Sequence, residues 1–222
     1  MKASSPLQPL PATGRRRRPD RRRERTRGAL LRAGRVLLAS RDVDALSVDE
    51  IVAAADVAKG SFYNHFADKD VFAREIGAAV RRQAEEAVNR ANVGIESAAE
   101  RVARALCVFI RFAIEHRDSA QLLWRLNSGA TLADAPVNRG LREEVLRAQR
   151  QRAFSGLDVE TSVLTIMGTV VISMRHVLEE RAVATPRHIA TQMACGMLRA
   201  LGVPAPRART VAAQAAGELL GA

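Results

Sequence analysis

The sequence predicts an all-α protein in two parts: an N-terminal tri-helical helix-turn-helix unit and a larger helical domain behind it. Three observations carry this. Apolar residues recur with a helical period, and Val, Ile and Thr never alternate with polar residues for long enough to make a strand. Four of the eight aromatic residues, Phe62, Tyr63, Phe66 and Phe72, are crowded into one short stretch. The basic excess is one-ended: of a net charge of +11 over 222 residues, residues 1–28 carry +8. A nearly balanced globule with a basic arm is the expected form, and its natural partner is a polyanion, double-stranded DNA before a membrane surface.

Residues 1–22 are expected to be a disordered basic arm, because its Pro- and Ser-rich first half cannot bury enough apolar surface to fold. Residues 23–75 read as the helix-turn-helix unit. From Arg23 to Arg41, Leu30, Ala33, Gly34, Leu37 and Leu38 form one apolar stripe. After the linker Asp42 to Leu46, Ser47-Val48-Asp49-Glu50 has the form of a capping box and opens a short second helix with Ile51, Val52 and Ala55 inward. Asp56 follows at a position that needs a left-handed backbone, which Asp tolerates better than most residues. A third helix runs from Ala58 to His65, and Asp68 is the N-cap of a fourth that reaches Asn92. Helix, tight turn, helix, with a preceding helix to pack on, is the architecture of a helix-turn-helix DNA reader. Phe62, Phe66 and Phe72 are expected in its core, and Tyr63, beside Phe62, must face outward.

The run from Ser47 to Phe72, and above all Val57-x-x-Gly60-Ser61-Phe62-Tyr63-x-His65-Phe66-x-x-Lys69, resembles the DNA-binding signature of TetR/AcrR-type transcriptional regulators. Two residues depart from that pattern: Asp56 stands where a glycine is common, and Ala58 where a hydroxyl residue is common at the start of the recognition helix. The resemblance implies that Ser61, Tyr63 and His65 reach phosphate oxygens, that Lys59 and Asn64 face the major-groove floor, and that Gly60 lets the backbone approach DNA. It implies a phosphate contact for Lys69 at a helix N-terminus, and Ser47 joins the same DNA-contacting set. Hydroxyl, imidazole and ammonium groups suit phosphate contacts, while Lys and Asn suit guanine and adenine edges. Lysine is a marked choice here, since Lys2, Lys59 and Lys69 are the only three beside 32 arginines. The bland alternative for each is a solvated surface residue, and for His65 a structural histidine.

Residues 76–222 read as a ligand-binding and dimerisation domain. Ala98 to His116 carries a long apolar stripe, Gln121 to Leu126 and Leu141 to Leu146 mark further helices, and Pro136 breaks the chain between them. Thr161 to Leu178 is apolar on nearly all sides and so must be covered on nearly all sides. The next helix, to Leu201, starts after Thr185-Pro186. In proteins of the resembled family the last two long helices pair across a two-fold axis, which implies an interface at Val171, Ile189, Met193 and Met197. An effector cavity is expected among the preceding helices, lined by Phe109, Phe112, Trp124, Met167 and Met174, with Arg111, Arg175 or His176 able to meet an acidic group.

Catalysis finds no support in the sequence. The four histidines show no metal-ligand spacing, and Cys107 and Cys195 lie far apart on apolar stripes; no Gly-rich phosphate loop or nucleophile elbow is present. No metal and no cofactor are expected. The longest uncharged stretch, Thr161 to Met174, is too short to span a bilayer, and no secretory signal is visible, so the expected compartment is the cytoplasm. The reading is a homodimeric DNA-binding regulator, a repressor released from an inverted-repeat operator by a small molecule. The alternatives are a basic architectural DNA-binding protein without an effector, and a helical enzyme or carrier.

Overall fold

The computed structural model describes residues 18–126, 138–179 and 183–221, and the described residues are all-helical, with no strand. The expectations for residues 1–17, for Pro136 and for the side chain of Trp124 lie outside them.

The first helix, α1 (Arg18–Ser40), starts inside the expected arm, so Arg21 and Arg22 are helical. Arg and Glu are good helix formers, and Pro19 sits in the first turn, where its missing N–H costs nothing. Next come α2 (Val48–Ala54), α3 (Lys59–Tyr63) and α4 (Lys69–Ala91). The capping box of α2 is complete: Ser47 Oγ accepts from Glu50 N at 3.2 Å, and Glu50 Oε2 accepts from Ser47 N at 2.8 Å. Asp56 takes the left-handed turn between α2 and α3 at φ 52°. Ala58, the N-cap of α3, makes no side-chain bond to it, as expected without a hydroxyl there. Asp68 caps α4 by accepting from Val71 N at 2.7 Å.

Phe62, Phe66 and Phe72 form the centre of this unit, each 1 % exposed or less, with ring centroids 4.8–5.5 Å apart. α1 closes on them through Gly34, where a Cβ would stand 2.2 Å from Phe72 Cζ. No larger side chain fits unless Phe72 gives way.

The second domain is built from α5 (Ala98–Glu115), α6 (Arg117–Arg125), α7 (Arg139–Arg150), α8 (Val159–Leu178), α9 (Pro186–Ala200) and α10 (Ala205–Leu220). α5 is its axis and packs on α4, α6, α8, α9 and α10. Helical periodicity in the sequence gives out at Leu201 and does not announce α10, whose buried face is Ala208, Val211, Ala212, Ala215 and Ala216. That spacing is helical, but alanines in so alanine-rich a chain carry no signal.

α8 is 20 residues long, longer than the uncharged stretch inside it, and is the one helix among the described residues long and apolar enough to cross a membrane. Its packing against α5, α7 and α9 and its row of Thr165, Thr169 and Ser173 mark it as a bundle helix. Thr169 and Ser173 donate to the carbonyls four residues back, both at 2.7 Å.

One expected interface residue is used within the chain instead. Met197 is 3 % exposed and packs in the core, and Val171, half-buried, lines a cavity described below. The outward stripe of α8 is Thr161, Gly168 and Ile172, with Thr165 half-covered; Ile172 is 53 % exposed. On α9, Ile189 and Met193 are half-buried beside exposed Gln192 and Gly196.

The two units are joined by side chains as well as by α4. Arg35 Nη2 on α1 donates to Gln83 Oε1 on α4 at 3.2 Å and to Ser119 Oγ on α6 at 2.8 Å, and Ser119 is buried. Arg125 of α6 pairs with Asp42 in the α1–α2 linker at 3.2 Å.

Candidate nucleic-acid interface

α3 is held by its inward residue, Phe62, and offers its other side to solvent. Lys59, Gly60, Tyr63 and Asn64 are exposed, while Ser61 and His65 are half-buried. Tyr63 is 55 % exposed, and its ring meets Phe62 edge-on at 5.4 Å, so the hydroxyl is aimed outward by packing. A Cβ at Gly60 would meet nothing within 4 Å, so the fold does not require glycine there. Gly60→Ala is therefore expected to leave stability unchanged or raise it by about 0.5–1 kcal/mol. If α3 approaches DNA through that gap, the same substitution weakens DNA binding. Thermal melting and a gel shift separate the two effects, and undiminished binding would remove Gly60 from the contact surface.

Both lysines of the reader are engaged. Lys59 Nζ pairs with Asp49 on α2 at 2.9 Å, and that hydrogen bond, then the charge of Asp49, raises its pKa. Lys69 Nζ donates to Leu46 O at 2.7 Å and Val43 O at 3.2 Å, so it ties the α1–α2 linker to the start of α4. Two of its three N–H groups are thus committed, and one is left for a phosphate. Ser47 likewise serves the capping box first, its hydroxyl donating to Glu50 Oε2 at 2.8 Å. Glu50 is held at a pKa of about 2, chiefly by its bond to Arg41 at 2.7 Å and then by Ser47.

α1 braces α3 from behind. Arg23 Nη2 donates to Asn64 O at 3.4 Å. Arg27 pairs with Glu75 and lies over the Phe66 ring, 5.6 Å from its centroid. Burial, and then the charges of Arg23 and Arg27, push His65 below the ordinary imidazole value, so it is neutral at pH 7 and can still donate one N–H. Sequence reasoning misses Asp49, Arg23 and Arg27, because their partners lie 10, 41 and 48 residues away with no periodicity to betray them.

The model of bacterial regulatory proteins of the tetR family matches residues 30–76. Residues 30–76 are a tetR-family domain. No curated protein matches the chain in sequence. Solved structures extend the likeness to the fold beyond the tetR-family domain. A gamma-butyrolactone receptor (ArpA-like protein) is 25% identical with a TM-score of 0.62, over 89% of this chain and 99% of that one. RolR in complex with resorcinol is 22% identical, TM-score 0.57, over 88% and 96%. A TetR family transcription regulator from Marinobacter aquaeolei VT8 is 16% identical, TM-score 0.69, over 82% and 98%.

Behind the tetR-family domain lies a cavity of about 1540 Å³, walled by α4, α5, α6, α7 and α8 and by Ala39 and Ser40 at the end of α1. Phe109, Met167 and Met174 line it, as does Arg175. Phe112 does not: it falls on another side of α5, buried, with its ring 5.1 Å from that of His116. Arg111 turns away to donate to Leu219 O at 3.4 Å, and His176 is exposed without lining the cavity. The cavity also holds polar groups that the sequence does not single out, among them Arg101, paired with Glu144 at 3.0 Å. Cys107 is no reactive group: burial pushes its thiol up to about 12. Among the described residues no three His, Cys, Asp or Glu side chains gather to hold a metal.

Proposed function

We propose that the protein is a transcriptional repressor that binds an inverted-repeat operator as a homodimer and is released from it by a small molecule. The observation that carries DNA binding is the outward row Gly60, Tyr63 and Asn64 along α3 and its C-cap, which the fold leaves for an outside partner, with Lys59 beside it on a surface pair with Asp49. In that reading Tyr63, Ser61, His65 and the remaining N–H of Lys69 meet phosphates, while Asn64 and Lys59 reach base edges. Ser47, at the start of α2, reaches a phosphate in this reading only by turning its hydroxyl away from Glu50.

The dimer is proposed across α8 and α9. The supporting feature is the outward stripe with Ile172 and Gly168, beside Ile189, Met193 and Gly196. Cβ atoms at Gly168 and Gly196 would meet nothing within 4 Å, so a second copy could approach closely there. Two-fold pairing sets two readers about 34–36 Å apart, one turn of DNA. Effector release is supported by the cavity, which touches both the end of α1 and the middle of α4. RolR has been solved with resorcinol bound, and another neighbour is named a gamma-butyrolactone receptor. A ligand that prefers a different tilt of α4 would change the spacing of the readers, by a coupling of typically about 1–3 kcal/mol.

Genome-wide mapping of bound DNA followed by titration of the enriched sequence tests the reading. A palindromic site bound far better than its scrambled version is expected. Equal affinity for both would favour an architectural DNA-binding protein. Tyr63→Phe should weaken binding to every sequence by about 1–3 kcal/mol, as for a hydrogen bond to a charged group. Asn64→Ala should instead relax base preference at one position per half-site, and a repeat of the sequence selection with each variant distinguishes the two.

A further inference from the structure

The helix-turn-helix unit separates its charges. Residues 41–76, which hold α2, α3 and the start of α4, contain eight acidic and four basic residues, a net charge of −4. Three of the four cations are already engaged: Lys59 with Asp49, Lys69 with two carbonyls, Arg41 with Glu50. The reading helix therefore sits on a surface that by itself repels a polyanion. α1 has the opposite sign, with eight arginines and two acids for a net charge of +6.

The arginines of α1 divide into those bonded to neighbouring elements and those left to solvent. Arg23, Arg27 and Arg35 turn to neighbouring elements and bond to Asn64, Glu75, Gln83 and Ser119. Arg21, Arg22, Arg25 and Arg32 are exposed on the outer face, and none of the four forms an ion pair among the described residues. Residues 21, 25 and 32 follow one stripe of a 3.6-residue helix, with Arg22 beside it. The guanidinium of Arg32 lies back over Gly28, toward the other three. The bond from Arg23 to Asn64 O sets the N-terminal end of α1 at the C-terminal end of α3, and Arg21 and Arg22 stand on that same turn of α1.

We infer that the outer ridge of α1, formed by Arg21, Arg22, Arg25 and Arg32, is the phosphate-binding surface of the DNA-binding unit. It rests on the DNA-binding reading proposed above and divides the labour within it. The ridge supplies attraction that is blind to sequence, by neutralising phosphates and releasing their counterions. α3 supplies base contacts from a locally acidic surface, whose carboxylates discourage loose attachment of the reading face anywhere on DNA. Guanidinium groups suit the ridge, since each can grip a phosphate through two N–H groups.

The test uses the full chain and its variant Arg21→Gln/Arg22→Gln/Arg25→Gln, the matching Arg→Lys triple, and Arg207→Gln/Arg209→Gln on exposed positions of α10. Glutamine is a good helix former, and circular dichroism verifies that α1 is kept. Each protein is titrated, at several salt concentrations, with the best duplex selected from a random library and with an unrelated duplex of equal length. The expected result is that the Gln triple weakens both duplexes by the same factor, with an unchanged consensus. The slope of log K against log salt should become shallower by about 0.9 for each phosphate that is no longer neutralised. The Lys triple should keep most of the slope, and the α10 variant all of it. A Gln triple with the parent slope overturns the inference, and so does an equal drop in the α10 variant, which would reveal only a long-range field. A parent protein that binds every duplex alike fails the regulator reading instead, and the slopes on those duplexes still decide the ridge.

Discussion

Ile172→Glu is expected to turn the proposed dimer into monomers and to abolish operator binding. Ile172 is 53 % exposed within the chain, so the substitution leaves the subunit's own core intact. Across a two-fold seam it would bury two carboxylates with no partner, a penalty of several kcal/mol. A single reader holds only one half-site, so the fall in affinity should be far larger than for any one phosphate contact. Sedimentation or light scattering gives the mass, and a gel shift gives the binding. A clean dimer at the parent's affinity would move the interface away from α8. Met197→Glu is the poorer experiment, because Met197 is 3 % exposed and its replacement would unfold the subunit whatever the interface.

Phe62→Ala should cost about 3–5 kcal/mol, the range for truncating a buried phenylalanine. Phe62 is fully buried and touches both other rings of the trio, at 5.5 Å to Phe66 and 5.4 Å to Phe72. It also fixes Tyr63, whose ring leans on it edge-on. With five residues α3 has no stability of its own, so removing its one buried side chain frees the reader. Loss of DNA binding is expected together with rapid amide exchange in α2 and α3, while α5 and α8 stay protected. Retained protection in α3 would show that Leu30 and Ile51 hold the unit without the ring.

Local signals are legible in the sequence and tertiary ones are not. Ser47 and Glu50 announce a capping box, and Asp56 a left-handed turn, because each depends on neighbours within a few residues. The helical periods place α1, α4, α5, α8 and α9 to within a few residues at most ends. Lys69 is expected at a phosphate, but the carbonyls of Val43 and Leu46 that bind it come from a linker whose path no pattern encodes. Phe109 and Phe112 stand one turn apart on α5, yet only Phe109 lines the cavity, since apolar character predicts burial and not which neighbour is met. Met197 turns into the subunit's own core for the same reason. α10 is invisible because alanine marks both a close-packed face and the bias of the whole chain. A charge count that stops at residue 28 overlooks that the reading segment is acidic.

That separation of charge gives the DNA-binding unit an electric dipole, with α1 at its positive end and α2 and α3 toward its negative end. A body with such a dipole does not tumble freely in the field of a duplex. It turns its positive end toward the duplex while still a Debye length away, about 8–10 Å at physiological ionic strength and farther at low salt. With the ridge as the proposed phosphate-binding surface, first touch is expected on it, and the reading helix is expected to swing in afterwards by rotation about it. The encounter is thus a loosely held, one-edged complex that can move along the backbone with α3 lifted. Bases are inspected only when the far edge closes, so speed of search and strictness of reading reside on different edges of the same small unit.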